Sequence, residues 1–336
     1  HRLQVPIDQS WFVNRLNAAA RLRAPLLNLP SKKATTGYRL VHGENDGFPG
    51  LVIDRYEETL VIKLYTLAWI PHLVDVIAAL NQVVPGDRLL LRFSRALLDQ
   101  ANMLYSLHDG LTLFGSALDR PVLFSENGLR FEADLQHGNK TGFFFDQRDN
   151  RAQVERLAAG KRVLDVFAYS GGFSVYAARG GAQEITSIDI SRAALNAALR
   201  NIQHNRAIPE VASAQHTVTA GDAFEILSQM GANGQRFDLV IIDPPAFAQK
   251  QSQISKAISA YQRLTRLGLR VLQPGGILVQ ASCSSRVTAN EFFNSINRAA
   301  QLAGRPLNEL ARSGHPLDHP IRFEQGAYLK CLFAKA

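Results

Sequence analysis

The chain has 336 residues, 46% of them hydrophobic, two cysteines and a formal net charge of +8. That length exceeds one ordinary domain, and the apolar share is ample for buried cores. No run approaches the roughly 20 apolar residues of a membrane span, no signal peptide is visible, and two distant cysteines form no disulfide framework, so a reducing cytoplasm is expected.

The charge is uneven. Residues 1–150 hold 16 basic and 16 acidic side chains, whereas residues 244–336 hold 12 and 4, a difference of 8 that equals the whole excess. Such a confined excess points to a polyanionic partner. The plainer reading is a solvated, arginine-rich surface.

Apolar residues at helical spacing predict a helix from Trp11 to Leu27, ending at the loop "LPSKKATTG". "YRLVHGENDGFPGLVIDRYEETLVIKLY" reads as strands around a turn-rich centre. "IPHLVDVIAALNQVV" is helical, "RLLLRFS" and "LTLFG" are strands, and Asn127-Gly128 predicts a hairpin with a type I′ turn. From residue 160 strands and helices alternate strictly: "RVLDVFA", "EITSIDI", "HTVTA", "FDLVIIDPP" and "GGILVQASCS" are strands with helical segments between them. This alternation predicts an α/β fold with a doubly wound, mostly parallel sheet. "YLKCLFAKA" closes the chain as one more strand and houses Cys331.

Sheets of this kind bind ligands at the carboxyl ends of their strands. The first strand ends in "DVFAYSGGF", where Gly171 and Gly172 let the backbone approach a ligand at the next helix's start. A G-x-G-x-x-G dinucleotide fingerprint is lacking, which disfavours a nicotinamide enzyme. Asp189 ends the second strand, where a carboxylate can accept both hydroxyls of a ribose. Asp222 follows the third strand, where a carboxylate can accept an adenine amino group and the Ala223 N–H can face a ring nitrogen. Each acid alone could equally be a helix N-cap. Together, without a phosphate loop, they point to an adenosine ligand lacking a pyrophosphate, and S-adenosylmethionine fits. "DPP", Asp243 to Pro245, makes a rigid corner at the fourth strand's end. At this position the motif marks methyltransferases acting on planar nitrogens or base carbons.

From about Tyr38 onward the chain resembles the bacterial 23S ribosomal RNA cytosine-C5 methyltransferases. The stretches that carry the resemblance are "YRLVHGENDGFPGLVIDRY", "HGNKTGFFFDQRDNR", "VLDVFAYSGGFSV", "FDLVIIDPPAF", "SCS" and "HPLDHPIRF…GAYLKCLF". The resemblance implies a Rossmann-like class I sheet after a smaller α+β domain. The expected division is a helix and linker over 1–36, the α+β domain over 37–135 and the methyltransferase domain over 136–336. It also implies an upstream PUA domain that would end about where His1 falls. The block Lys140–Arg151 helps enclose the cofactor in the family, which makes Phe143, Asp146 and Arg148 candidate contacts. Phe167, Tyr169, Ser170, Gly171, Asp189, Ile190, Asp222, Ala223, Asp243 and Pro244 complete the expected S-adenosylmethionine set. Pro245, Phe247, Lys250, Lys256, Arg286 and His319 are expected on the RNA side. The expected partner is 23S ribosomal RNA, with no membrane, and a homodimer is left open.

Cys283 stands where an apolar run breaks into serines. In the usual order of this fold its strand lies beside the one ending at Asp243. A thiolate is both a strong nucleophile and a good leaving group, which suits transient addition to cytosine C6. Asp243 would hold the base edge, and Arg286 is a nearby candidate to favour the thiolate. The plainer reading of Cys283 is a small buried hydrophobe. Where many cytosine-C5 enzymes place a second cysteine after the proline motif, this chain has Ala246, so the acceptor of the C5 proton is open. A related guanine-N7 group shares the Lys-Thr-Gly block and "DPP" but needs no cysteine. A third reading is a non-catalytic RNA-binding relative. "HPLDHP" contains His315, Asp318 and His319, but its prolines prevent a regular ligating face, so a rigid loop near the substrate mouth is expected rather than a metal site.

Overall fold

The computed structural model describes residues 6–28, 30, 33–138 and 141–336. His1, part of the loop after the first helix, and Lys140 lie outside the described residues. The chain forms two compact units, His1–Asp146 with Pro316–Arg322, and Gln147–His315 with Phe323–Ala336.

The first unit is built on helix α1 (Gln9–Leu27) and strands β1 (Gly37–His42), β2 (Leu51–Tyr56) and β3 (Thr59–Leu64). Helix α2 (Leu73–Val83), β4 (Arg88–Phe93), helix α3 (Leu98–Tyr105) and β5 (Leu111–Phe114) follow. The five strands pair in chain order, antiparallel except that α2 makes the crossover between the parallel β3 and β4. Asp8 caps α1 by accepting from Trp11 N at 3.0 Å, and the helix buries Phe12, Leu16 and Ala19, one face at 3.6 periodicity. They join Leu40, Ile53, Ile62, Leu80 and Leu91 in the core. The predicted hairpin is β6 (Val122–Glu126) and β7 (Leu129–Ala133), with Asn127 and Gly128 both at positive φ as a type I′ turn requires.

Two segments join this unit that the sequence assigns to the next domain. In the first, Phe143 and Phe145 pack their rings against Phe124 and Tyr56, and Phe143 N donates to the Tyr56 hydroxyl at 3.0 Å. The break therefore falls after Asp146 and not at 135/136. In the second, buried Arg23 pairs with Asp46 through 2.8 and 2.6 Å bonds and donates to the Asp318 carbonyl at 2.9 Å. Asp318 Oδ2 also accepts from Arg39 N at 2.9 Å. "PLDHPIR" thus completes the hydrogen bonding of a buried arginine in the first unit.

The second unit runs through α4 (Arg148–Leu157), β8 (Arg162–Val166), α5 (Gly172–Arg179), β9 (Glu184–Asp189), α6 (Arg192–His204), α7 (Pro209–Ser213) and β10 (Gln215–Ala220). It continues with α8 (Ala223–Ala232), β11 (Phe237–Ile242), α9 (Ile254–Val271), β12 (Leu272–Ser282), α10 (Ala289–Leu302), β13 (Asn308–Ser313) and β14 (Lys330–Lys335). The seven strands are ordered β10-β9-β8-β11-β12-β14-β13 and all run in one direction except β14, which pairs antiparallel with β12 on one side and β13 on the other. The core strands are nearly all apolar because helices cover both faces. The order reverses at β8, so the switch point lies between the carboxyl ends of β8 and β11. β13 has no counterpart in the predicted elements. It is an edge strand of mostly exposed polar residues, without a hydrophobic period to announce it.

Candidate active site

After β8 the chain bends through "FAYSGG". Phe167 and Tyr169 stand at φ 66° and 49°, a region bulky residues rarely enter, and Gly171 follows at 74°. Surrounding bonds hold this backbone. Ala168 N donates to the Ile188 carbonyl at 2.9 Å, Tyr169 N to Asp189 Oδ2 at 2.9 Å, and Asn201 Nδ2 to the Ser170 carbonyl at 2.8 Å. A Cβ at Gly171 would lie 2.7 Å from that of Ala198, so only glycine lets α6 come so close. Strain kept by over-determination is typical of ligand loops.

Asp189 also accepts Ser191 N at 2.8 Å through Oδ1. Two backbone donors thus orient the carboxylate, and each oxygen retains further acceptor capacity. Its neighbour Ile190 is 77% exposed, an apolar side chain offered beside the carboxylate. Ser170 Oγ is buried without a hydrogen-bond partner. An oriented acid for a ribose, an apolar face for a purine and an unpaired hydroxyl together fit an adenosine ligand.

Asp222 caps α8, accepting from Phe224 N at 2.9 Å and Glu225 N at 3.1 Å. Both bonds use Oδ1, so the cap role is compatible with a ligand role for Oδ2. Ala223 is the first helical residue, where an N–H has no partner within the helix.

β11 and β12 are parallel neighbours, with Ile242 opposite Gln280. Each runs on into its motif, so Asp243 and Cys283 leave adjacent strands at the same edge. Asp243 N donates to the Val166 carbonyl at 3.3 Å, and its Oδ1 accepts from Gln147 Nε2 at 2.9 Å. The Cys283 thiol is half-buried and lies 3.9 Å from the Pro244 carbonyl. The serines beside it are buried and tied down: the Tyr261 hydroxyl meets Ser282 Oγ and Ser284 Oγ, each at 2.8 Å. Ser284 Oγ accepts from Phe247 N at 3.0 Å and Ala248 N at 3.3 Å, which stitches the proline loop to the cysteine loop. Burial raises the Tyr261 hydroxyl above its ordinary pKa, so it remains a neutral strut. Cys331, on β14, is buried and its thiol is pushed well up by desolvation. It is an inert core residue.

The other expected contacts divide. Pro244 is buried, Pro245 is exposed and Phe247 is half-buried, its ring packed on Tyr261 at 5.2 Å. Lys250, Lys256 and Arg286 are exposed in this unit. Arg148 opens α4 and is buried. Phe143 and Asp146 are buried residues of the first unit. His319 differs from its expected role on the RNA side. It is 1% exposed in the first unit, bonded to Asp318 Oδ1 at 3.1 Å, with burial lowering its pKa. A side chain so enclosed offers no surface to RNA. His315 belongs to the second unit, where Leu329 N donates to it at 3.1 Å. Among the described residues no group of three His, Cys, Asp or Glu could hold a metal ion.

Part of the basic excess also lies away from this edge. Arg236, Arg266, Arg270 and Arg305 line a pocket with Gly231 and Ala303, at the ends of α8, α9 and α10 and the starts of β11 and β12. Arg305 donates to the Leu269, Leu272 and Gln273 carbonyls at 2.9, 3.1 and 2.9 Å. Arg305 thus meets the negative end of α9. The residues missed in the sequence are Gln147, Tyr261 and Lys330. Gln147 and Lys330 lie in quoted motifs and Tyr261 does not, and nothing in their local pattern marks them.

Residues 39–321 match the family described as S-adenosylmethionine-dependent methyltransferase. A ribosomal RNA large subunit methyltransferase of Deinococcus radiodurans is 47% identical over 97% of this chain and 79% of its own length. The ribosomal RNA large subunit methyltransferase I of Pseudoalteromonas translucida is 34% identical over 98% and 81%. A methyltransferase solved with S-adenosylhomocysteine (SAH) superposes with a TM-score of 0.84 at 26% identity, over 99% of this chain and 83% of that one. The chain belongs to the S-adenosylmethionine-dependent family of ribosomal RNA large subunit methyltransferases.

Proposed function

We propose that the protein methylates C5 of a cytosine in large-subunit ribosomal RNA, in the cytoplasm, with Cys283 as a transient nucleophile. The observation that carries this reading is the half-buried thiol of Cys283 at the same sheet edge as Asp243, 3.9 Å from the Pro244 carbonyl. A cysteine kept only for packing is enclosed, as Cys331 is.

Asp189, Ile190, Ser170, Asp222 and the Ala223 N–H would hold the cofactor. S-adenosylmethionine, when bound, supplies an electrophilic methyl group. The Cys283 thiolate adds to cytosine C6, and the ring's electron pair moves to C5, which becomes enamine-like and takes the methyl group. A base, for which solvent water is available, then takes the C5 proton, the C–H electron pair re-forms the C5–C6 double bond, and the Sγ–C6 pair returns to sulfur as the thiolate departs. Asp243, held by Gln147, accepts hydrogen bonds from the protonated N3 and the exocyclic amine, which stabilises the adduct. Lys250, Lys256 and Arg286 are exposed cations that would meet backbone phosphates, and Pro245 and Phe247 would shape the base's entrance.

The test is methyl transfer to unmodified ribosomal RNA followed by nucleoside analysis. The reading requires 5-methylcytidine. Methylated guanosine in its place would assign the chemistry to the guanine-N7 group, and no product would leave a non-catalytic binder.

A further inference from the structure

Lys330 is a lysine with 4% exposure, an unusual place for an ammonium group. It begins β14, which pairs antiparallel with β12 so that Lys330 stands opposite Ser282, one residue before Cys283. Its Nζ donates to the Ser284 carbonyl and to the Val287 carbonyl, both at 2.7 Å. These acceptors belong to the loop that carries Cys283 away from its strand. The lysine therefore closes that loop from below, with two charge-assisted bonds short enough to restrict it.

Burying a cation costs several kcal/mol unless something nearby compensates. Two carbonyls supply part of that compensation. Charge supplies a further part: desolvation pulls the Lys330 pKa down to about 8, against the upward pull of Glu291 and of Cys283 in its thiolate form. Glu291 is already engaged in the capping box of α10, where Thr288 N and Oγ1 donate to its Oε2, each at 2.8 Å. Coupling between two ionisable groups is reciprocal, so a thiolate that favours the ammonium is favoured by it to the same degree. Three other groups bear on the thiol. Tyr261 is a neutral hydroxyl within electrostatic reach of both Cys283 and Asp243, and Asp243 carries a negative charge that opposes a second one. Arg286 is exposed, where solvent and salt screen it.

We propose that Lys330 is the positioning residue for Cys283, clamping the loop behind the thiol and placing beside it the buried positive charge that favours the thiolate. The proposal rests on reading Cys283 as the nucleophile and adds the group that readies it.

The test measures the rate of Cys283 alkylation by iodoacetamide against pH, with Cys283→Ala as the blank that removes any background from buried Cys331. Wild-type protein should show a midpoint clearly below the ordinary thiol value of about 8.5. Lys330→Gln keeps two N–H donors and removes the charge, and its midpoint should rise by about one pH unit or more, the scale of a neighbouring opposite charge. Lys330→Arg restores the charge and should restore the low midpoint. A melting curve and S-adenosylmethionine binding verify folding of each variant. A folded Lys330→Gln with the wild-type midpoint overturns the proposal. A wild-type midpoint at or above the ordinary value overturns it even should Lys330→Gln not fold. The nucleophile reading fails separately, through undiminished methyl transfer by Cys283→Ala, and the alkylation profile still reports on Lys330 in that case.

Discussion

The side-chain amide of Gln147 donates to Asp243 Oδ1 over 2.9 Å. It ties the start of α4 to the proline motif within the second unit, and Asn150 Nδ2 donates in turn to Gln147 Oε1 at 2.5 Å. On the proposed mechanism, the carboxylate that would hold the base edge is thereby fixed before the base arrives.

Gln147→Ala should therefore lower kcat more than it weakens cofactor binding. A hydrogen bond to a charged group contributes about 1.5–3 kcal/mol, so a loss of roughly 10- to 100-fold in rate is expected. Single-turnover methyl transfer and calorimetry on the same variant measure the two effects separately. Equal loss in both would mean that Gln147 supports the cofactor site rather than Asp243.

Asp189→Ala should weaken S-adenosylmethionine binding by roughly 1.5–3 kcal/mol, the scale of charged hydrogen bonds lost from a half-buried site. It also removes the acceptor that holds Tyr169 N in its left-handed turn. Calorimetry should show the loss, and an unchanged affinity would place the ribose elsewhere.

Much of the fold that positions the candidate site was legible in the residues. Alternating strands and helices from residue 160 show in the local pattern, and the usual order of this fold set "DPP" and Cys283 on neighbouring strands, as β11 and β12 are. Lys330 could not be read the same way. It looks like one more strand residue in "YLKCLF", and its role comes from antiparallel pairing with a strand some 50 residues earlier. "PLDHPIR" was obscure for a similar reason: Arg23 and Arg39, which bind Asp318, are nearly 300 residues away. The aromatic residues of the Lys140–Arg151 block carry no period, and only the cluster around Tyr56 and Phe124 shows why Phe143 and Phe145 stay with the first unit.

A polar chain running from half-buried His216 to buried Asp165 gives a pH prediction. His216 Nε2 and Ser187 Oγ are 2.7 Å apart, Ser187 Oγ and Ser174 Oγ are 2.7 Å apart, and Ser174 Oγ donates to Asp165 Oδ2 at 2.6 Å. Burial raises the Asp165 carboxyl to about 6 and lowers the His216 imidazole to about 4. The folded state binds the Asp165 proton more tightly than the unfolded chain, so this group makes stability fall as pH rises from about 4 to 6. The folded state resists protonation of His216, so that group makes stability rise from about 4 to 6.5. The two slopes oppose each other. Asp165→Asn removes the first, and its urea stability should climb more steeply with pH over this window than that of the wild type. A parallel pH dependence in the two proteins would mean that Asp165 titrates normally.

RNA binding should weaken steeply with salt, by about 0.7 log units per log unit of salt for each phosphate neutralised on a single strand. Charge reversal of the exposed Lys250 and Lys256, just beyond "DPP", should flatten that slope and leave cofactor affinity unchanged. Reversal of Arg266 and Arg270, at the other edge of the sheet, should flatten it less. A slope that survives the lysine reversal and falls with the arginine reversal would move the RNA path to that other edge.

The most direct test of the central claim uses RNA containing 5-fluorocytosine, because fluorine at C5 cannot leave as a proton does and the Sγ–C6 bond is trapped. With S-adenosylmethionine present, wild-type protein should form a covalent complex that survives denaturing electrophoresis, with Cys283 as the linked residue by mass spectrometry. Cys283→Ala should form none, should bind S-adenosylmethionine as the wild type does, and should make no 5-methylcytidine. Production of 5-methylcytidine by Cys283→Ala at near wild-type rates, or a wild type that forms no adduct while methylating ordinary RNA, would contradict a cysteine nucleophile at the end of β12.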